Sequence, residues 1–387
     1  MLNPVLSFLP LLGWAGLCLR VFMSNFTAAA LRLALEGLYR TSPNPRVGCV
    51  IVDPSGAIVG QGSTQRAGGP HAEIMALRDA HEHGYSVIGA TAYVTLEPCS
   101  HQGRTGPCCD ALVNAGIVKV VASIADPNPL VSGRGFARLR AAGVQVEVGP
   151  GAEGSRELNL GFFSRMVRKT PWVRMKVAAS LDGVTALPSG ASQWITGPDA
   201  RADGHAWRAR ACAVLTGIGT VLADDPRLDA REVQTDRQPA LVLVDSALQV
   251  PLDASLFVAD RAVYIYTSIE NDSKMHALEA RGATVVFMPN GRGKVDLAAM
   301  VRDLGCREIN ELHVEAGYKL NGSLVREGLV DELLVYLAPK LLGEGYGMLQ
   351  WGPLTELSQA LALDFTALDR VGSDVRLLAR VAGRDRF

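Results

Sequence analysis

Aromatic residues are scarce in this 387-residue chain, at 6%, and nowhere do they alternate with basic residues as a single-strand nucleic-acid platform requires. Positive charge is not in excess either. Lys and Arg total 38 against 39 Asp and Glu, a formal net charge of −1, which excludes a protein built to coat a polyanion. The 7 cysteines, at 18, 49, 99, 108, 109, 212 and 306, are too few and too unevenly placed for a disulfide framework. Internal repeats and low-complexity tracts are missing as well. What is present is ordinary globular composition, 48% apolar and 20% charged, so a mostly disordered chain is ruled out. The length predicts two or three domains with a large core. The expectation is a multidomain cytoplasmic protein with no membrane and no nucleic-acid partner.

Residues 4–22 are apolar, but no Lys or Arg precedes the run and Arg20 interrupts it before a full membrane span accumulates. Residues 1–22 are expected to be a non-native or over-extended start, with a weak membrane-associating or export segment as the alternative. The fold is expected to begin near Met23, where Ser24 or Asn25 can cap an Ala- and Leu-rich helix.

From there the pattern alternates. Residues 48–53 and 57–62 form a hairpin around Pro54-Ser55-Gly56, and 72–84 reads as a helix ending at Gly84. Strands follow at 91–96, 118–126 and 144–149, with helices from Pro107 to Gly116 and over 134–143. A polar helix over 152–168 is interrupted by Lys169-Thr170-Pro171, where the domain boundary is placed, giving domains 23–168 and 169–387. The second half alternates continuous apolar strands with helices over 198–210, 273–281, 295–305 and 319–328. Both halves are α/β.

The chemistry-bearing residues cluster in the first half. His71-Ala72-Glu73 opens a helix, Pro98-Cys99 follows a strand, and Pro107-Cys108 starts the next helix. One imidazole and two thiolates are three tetrahedral zinc ligands with a fourth position left for water. Helix N-termini favour the thiolate and the anionic ligand set. Zinc lowers the pKa of its water toward ~7. Glu73, two residues from a ligand, can take the water proton and pass it to a departing amine. A closed structural site would need Cys109 or His101 as fourth ligand. Cys109, one residue further along the helix, turns ~100° away and is expected to be spare.

This H-x-E…P-C…C arrangement resembles the cytidine-deaminase-like zinc deaminases, the base-deaminase signature in which the cysteines usually read P-C-x-x-C. Here eight residues, SHQGRTGP, separate them. With TLEPCSHQGRTGPC (95–108), SPNPRVGCV (42–50) and DPNPLVSGRG (126–135), the half closely resembles the deaminase part of the bifunctional riboflavin-biosynthesis family. That family joins a diaminohydroxyphosphoribosylaminopyrimidine deaminase to a 5-amino-6-(5-phosphoribosylamino)uracil reductase. Gly106 stands where the family usually has Pro. The resemblance implies that Asn44, His101, Arg104, Asp126 and Asn128 surround the pyrimidine and its ribose phosphate.

No G-x-G-x-x-G follows a strand after residue 170, and Gly217-Ile218-Gly219 reads as a turn. Residues 314–332 read as a strand, Gly317 and Gly322, and then a helix whose first N–H groups could cradle a pyrophosphate. MKVAASLDG (175–183), SQWITG (192–197), TVLADDPRL (220–228), VDS (244–246), VEAG (314–317) and LVDELLVYLAPKLLG (329–343) resemble, in order, the reductase part of the same family. The resemblance implies a dihydrofolate-reductase-like fold and NADPH. By position, Ala178, Trp194, Thr220, Asp224, Ser246 and the 317–323 loop (Gly317, Tyr318, Lys319, Leu320, Asn321, Gly322, Ser323) would meet the cofactor. Ser192, Arg208, Leu228, Arg231 and Glu315 would meet the sugar phosphate, with Lys176 close by.

The function expected is therefore zinc deamination of a small-molecule pyrimidine ribotide followed by NADPH reduction of its ribosyl group. One Zn2+ per chain and a homo-oligomer are expected with it. A single-function base or nucleoside deaminase with an appended domain is disfavoured by the eight-residue insert and the ordered second-half motifs. A nucleic-acid editing module is disfavoured by the neutral charge.

Overall fold

The computed structural model describes residues 25–100, 106–129 and 131–387. Thr170–Arg386 forms one compact unit; the described residues up to Lys169, together with Phe387, form the other. Among the described residues no helix is long and apolar enough to cross a membrane. The expectations for residues 1–22 lie outside the described residues.

In the first unit, α1 (Asn25–Glu36) leads to the hairpin of β1 (Gly48–Val52) and β2 (Ile58–Ser63). Its turn is locked by Asp53, whose Oδ1 accepts from Ser55 N at 2.9 Å, Ser55 Oγ at 2.7 Å and Ala57 N at 2.9 Å. Then come α2 (Ala72–Glu82), β3 (Thr91–Val94), α3 (Cys108–Asn114), β4 (Lys119–Ala122), α4 (Arg134–Ala141) and β5 (Gln145–Val148). The sheet order is β2-β1-β3-β4-β5, antiparallel through β3 and parallel beyond it. Helix α2 lies close against β2 because Gly62 has no side chain: a Cβ there would stand 2.5 Å from that of Met75. The interior is filled by Cys49, Ile51, Val94, Leu112, Val120 and Leu139.

The single helix read over 152–168 is two helices, α5 (Ala152–Leu158) and α6 (Leu160–Arg168). Asn159 breaks them apart. Its side chain accepts from Arg46 N at 2.7 Å and donates to the carbonyls of Arg46 (2.9 Å) and Ser155 (3.1 Å). The backbone of the distant connection before β1 thus outcompetes the helix for this residue.

The second unit is built on nine strands: β6 (Trp172–Ser180), β8 (Ala213–Gly217), β9 (Ala240–Val244), β10 (Val263–Thr267), β11 (Ala283–Phe287), β12 (Glu311–Val314), β13 (Glu332–Ala338), β15 (Leu363–Val371) and β16 (Asp374–Val381). Their order is β11-β10-β9-β8-β12-β6-β13-β16-β15, parallel from β11 to β13 and antiparallel thereafter. A two-stranded ribbon pairs β7 (Val184–Ala186) with β14 (Tyr346–Gly347). The helices are α7 (Pro198–Arg210), α8 (Ile218–Asp224), α9 (Asp272–Glu279), α10 (Leu297–Cys306) and α11 (Tyr318–Arg326). Gly217-Ile218-Gly219, read as a turn, is a direct junction: Gly217 closes β8 and Ile218 opens α8.

The central strands differ from the continuous apolar runs expected of them. Side chains alternate between sheet faces. Met175, Val177, Leu312, Val314, Leu333 and Val335 face the core that contains Leu297 and Met300 of α10 and Leu324 of α11. Several of their neighbours along the strands are charged, among them Arg174, Lys176, Glu311 and Glu332. Buried Arg174 donates to Glu332 (2.6 Å) and Glu311 (2.9 Å), Arg210 of α7 also donates to Glu311 (2.9 Å), and Arg380 donates to Glu332 (3.2 Å). Arg174 and Arg210 lie over the Trp207 ring, 4.5 and 5.3 Å from its centroid. Each guanidinium therefore has both a carboxylate and an aromatic face, which offsets its desolvation.

Candidate active sites

Three chain segments deliver the candidate metal-binding groups. His71 is the extended residue that precedes α2, Cys99 lies in the turn after β3, and Cys108 is the first residue of α3. Their ligand atoms all lie within 4.8 Å of one another. His71 Nδ1 is 3.6 Å from Cys99 Sγ and 3.4 Å from Cys108 Sγ. Ligands at the usual Zn–N and Zn–S lengths of a tetrahedral site stand roughly 3.6 Å apart. The donor set and its edges therefore fit zinc, and no other such triad occurs among the described residues. The Cys108 backbone N–H donates to Cys99 Sγ at 3.3 Å. The Cys108 thiol, that N–H and His71 together lower the Cys99 pKa to about 4, whereas sharing its proton with Cys99 and burial raise that of Cys108. Cys109 points elsewhere, its thiol donating to the carbonyls of Pro98 (3.2 Å) and Gly135 (3.5 Å).

Glu73, 4% exposed, sits in the first turn of α2. Burial, then the charge of Cys99, pushes its carboxyl up to about 7. A carboxyl poised there can both hold and surrender a proton at neutral pH.

Glu97 was missed by the sequence reading, although it lies in the motif that carries Cys99. Its buried carboxylate accepts four backbone N–H groups: Asp126 (3.1 Å) and Gly133 (2.9 Å) on Oε2, Gly135 (2.8 Å) and Phe136 (3.4 Å) on Oε1. It thereby binds the turn of Cys99 to the segment of Asp126 and Asn128, and Asp126 Oδ1 in turn accepts from Asn128 N at 2.8 Å. Gly135 is needed for this approach, since a Cβ there would lie 2.1 Å from the Pro98 carbonyl oxygen. Asn44 occupies the connection between α1 and β1. His101 and Arg104 lie outside the described residues. A groove of about 600 Å3, lined by Pro70, Ile74, Arg78, Gly106 and Pro107, runs beside the two ligand-bearing helix starts.

In the second unit a cavity of about 310 Å3 is lined by Lys176, Trp194, His205, Arg208, Arg231 and Tyr336. Beneath it, Glu315 pairs with Arg208 through both oxygens, NH2–Oε2 being 2.9 Å, and with Lys176 at 3.6 Å. Burial pushes the Glu315 carboxyl up, but Arg208 and Lys176 outweigh it and hold its pKa well below the usual carboxylate range. Arg231 rides on a tightly held segment. Leu228 is buried with φ +52°, and Arg261 donates to the carbonyls of Arg227 (2.5 Å) and Leu228 (2.6 Å). Asp229 is gripped by Arg227 and Arg231, and its carbonyl accepts from Arg208 at 3.3 Å. Trp194 is no core aromatic: it is 64% exposed under the guanidinium of Arg201, 4.6 Å away. Ser192 is half-buried two residues before it.

The candidate cofactor residues lie along the C-terminal ends of adjacent parallel strands. Ala178 is on β6, Thr220 and Asp224 follow β8 on α8, Ser246 follows β9, and Gly317 follows β12. These four strands are neighbours, a row about 14 Å wide at ~4.8 Å per interval, on the edge where open α/β sheets take their ligands. The stretch read as a 317–323 loop is helical from Tyr318. Gly317 is extended and offers no side-chain cap, so the first N–H groups of α11 are open to an anion, which fits a dinucleotide pyrophosphate. Further along, the helix turns inward. Asn321 is buried and donates to Met348 O at 3.1 Å, Gly322 abuts Gln350, and Ser323 Oγ returns to Lys319 O at 3.1 Å. Tyr318 stacks on Tyr346 with centroids 4.7 Å apart, Lys319 Nζ lies 5.8 Å from the Tyr318 centroid, and Leu320 packs near Gly217.

Comparison with known proteins finds a separate family match in each half of the chain. The RibD C-terminal domain matches residues 171–377, and the cytidine and deoxycytidylate deaminase zinc-binding region matches residues 22–124. The riboflavin biosynthesis protein RibD of Escherichia coli K12 is 44% identical over 361 residues, covering 91% of this chain and 97% of that protein. That of Aquifex aeolicus is 39% identical over 357 residues, covering 92% and 98%. Among solved structures, Acinetobacter baumannii RibD (form 1) superposes with a TM-score of 0.84 at 39% identity over 92% of this chain and 98% of that one. A deaminase/reductase of Thermotoga maritima does so with 0.82 at 32% identity, again over 92% and 98%. The chain belongs to the RibD family of riboflavin biosynthesis proteins, and is a bifunctional enzyme with an N-terminal cytidine-deaminase-like zinc domain and a C-terminal reductase domain.

Proposed function

We propose that the two units catalyse consecutive steps on one pyrimidine ribotide. The first would hydrolytically deaminate the diaminopyrimidinone ribosylamino 5′-phosphate. The second would reduce the ribosyl group of the resulting 5-amino-6-(5-phosphoribosylamino)uracil to a ribityl chain with NADPH. The observation that carries this reading is the convergence of His71, Cys99 and Cys108 on one point with buried Glu73 beside them.

In the first unit His71 Nδ1 and the two thiolates would hold one zinc ion. When bound, that ion supplies an activated water and a fixed positive charge. Glu73 takes the proton of the attacking water and returns it to the departing amine, a shuttle suited to a carboxyl pushed up to about 7. Asn44, His101, Arg104, Asp126 and Asn128 would orient the pyrimidine and its ribose phosphate. Of these, Asp126 and Asn128 are tied to the Cys99 turn through Glu97.

In the second unit Arg208 and Arg231 would clamp the 5′-phosphate, with Ser192 and Leu228 along the sugar. Ala178, Trp194, Thr220, Asp224, Ser246 and the start of α11 would hold NADPH, which supplies the hydride. Lys176 and Glu315, 3.6 Å apart, form the proton-handling pair at the opening ribose ring. Because Glu315 is held ionised, Lys176 is the proton donor of the two. Each unit handles a small molecule in its own pocket.

The test is to give the purified chain the diaminopyrimidinone ribotide with and without NADPH, and to follow ammonia release and NADPH loss separately. Ammonia without NADPH, and NADPH loss only after ammonia, is the expected order. NADPH consumption without prior ammonia release would reverse the assignment of steps.

A further inference from the structure

His205 lies on α7, one turn before Arg208, in the wall of the second-unit cavity. It is 7% exposed. Its Nδ1 accepts the backbone N–H of Arg231 at 3.1 Å and stands 3.5 Å from NH1 of Arg208. A ring nitrogen that accepts carries no proton, so the neutral imidazole keeps its hydrogen on Nε2. Burial, and then the charges of Arg208 and Arg231, favour the neutral ring by lowering its pKa. Among the described residues no protein group accepts from Nε2. Nε2 is not one of the buried unpartnered atoms, so its N–H opens into the cavity, where a ligand can reach it. Here the unused donor belongs to a cavity wall flanked by two guanidinium groups.

We propose that His205 is a third reader of the substrate phosphate, donating its Nε2–H to a phosphate-ester oxygen between Arg208 and Arg231. This rests on the reductase reading above and extends it to a residue that neither motif nor resemblance singled out. The two arginines bring charge, and the imidazole brings direction without adding a further cation. Glu315 already occupies part of Arg208 and Glu232 also lines the cavity, so a further directed donor adds to what the two cations can offer a phosphate. By holding the Arg231 backbone with the other nitrogen, the same ring sets the spacing of the two cations.

Two substitutions separate these roles. In His205→Asn the side-chain oxygen can take the place of Nδ1 under the Arg231 N–H, but the residue ends short of Nε2. In His205→Gln the amide reaches the Nε2 position as a donor and gives up the near acceptor. NADPH oxidation by the full chain is measured with the phosphorylated substrate and with its dephosphorylated counterpart. His205→Asn should raise KM for the phosphorylated substrate about tenfold or more. It should leave kcat, and KM for the dephosphorylated one, nearly unchanged. His205→Gln, which keeps the donor but gives up the Arg231 contact, should raise KM for the phosphorylated substrate clearly less than His205→Asn does. Equal losses on both substrates, a larger loss in His205→Gln than in His205→Asn, or no change in either variant would overturn the proposal.

Ammonia release by the first unit and the thermal midpoint serve as controls for folding. Should either variant fail to fold, inorganic phosphate is titrated into the wild-type chain while the Nε2–H resonance of His205 is followed. A saturable shift supports the contact, and no shift overturns it. A wild-type chain that binds phosphate at His205 yet never oxidises NADPH would sink the reductase reading and leave the phosphate contact standing.

Discussion

Oε1 of Glu97 accepts the backbone N–H of Gly135 at 2.8 Å, across 38 residues of sequence. Both oxygens of this carboxylate are used by backbone N–H donors. An amide cannot replace it, because its NH2 would meet N–H groups head-on. Glu97→Gln is expected to destabilise the first unit by about 1–3 kcal/mol and to lower deamination, with NADPH oxidation of pre-deaminated substrate unchanged. Separate assays of the two half-reactions check this, and an equal loss in both would refute it.

Zinc should depend on Cys108 and not on its neighbour. Cys108→Ser should lose the metal, whereas Cys109→Ser should keep about one zinc per chain, because the Cys109 thiol serves the carbonyls of Pro98 and Gly135. Elemental analysis of the two purified variants decides the matter. The reverse pattern would mean that the ligand set is misassigned.

Glu73→Gln keeps volume and removes the base. Ammonia release should fall by ~10²-fold or more, zinc should stay bound, and reduction of pre-deaminated substrate should be near wild type. Loss of zinc would make Glu73 a ligand instead, and unchanged ammonia release would remove the proton-shuttle role.

Acid should loosen the second unit in a defined window. Burial pushes the carboxyls of Glu332 and Glu315 up, but Arg174 and Arg380 at the first, and Arg208 and Lys176 at the second, more than compensate, leaving both pKa values lowered. A folded-state pKa below the unfolded one gives stability that is complete above about 4.3, the free Glu value. That stability is lost as pH falls through the lowered values. Urea midpoints for this unit should therefore hold from neutral pH down to about 5 and drop below about 4. Glu332→Gln should flatten that drop. A midpoint that already fell between pH 7 and 5 would contradict the pairing.

The convergence of His71, Cys99 and Cys108 was legible in the sequence because each sits near a local landmark, a helix start or a strand end, that spacing and Pro residues betray. The Asn159 break was not, since the bond that causes it joins residues 113 apart. Nor was the β15–β16 hairpin. β15 buries none of its residues, so the alternation of Leu363, Phe365 and Ala367 with Asp364 and Thr366 marks no core face. Glu97 and His205 escaped for a related reason. Their meaning lies in which backbone N–H groups arrive from elsewhere, and no property of their own neighbours in sequence records that. Trp194 shows the converse, a large aromatic whose type suggests a core and whose position is at the surface.

The buried charges of the central sheet act as a key as much as a bond. Along β12 and one residue past it, Glu311, His313 and Glu315 alternate with Leu312 and Val314, and His313 pairs in register with Arg174 on β6. Sliding either strand by one residue would turn every side chain over. Arg174 and Lys176 would then enter the apolar side now occupied by Met175 and Val177, and Glu315 would leave Arg208. A hydrophobic strand can slip against its neighbour and still bury grease; a strand carrying this row of charges cannot. The parallel strands of this sheet are thus addressed individually, and misaligned pairings are penalised.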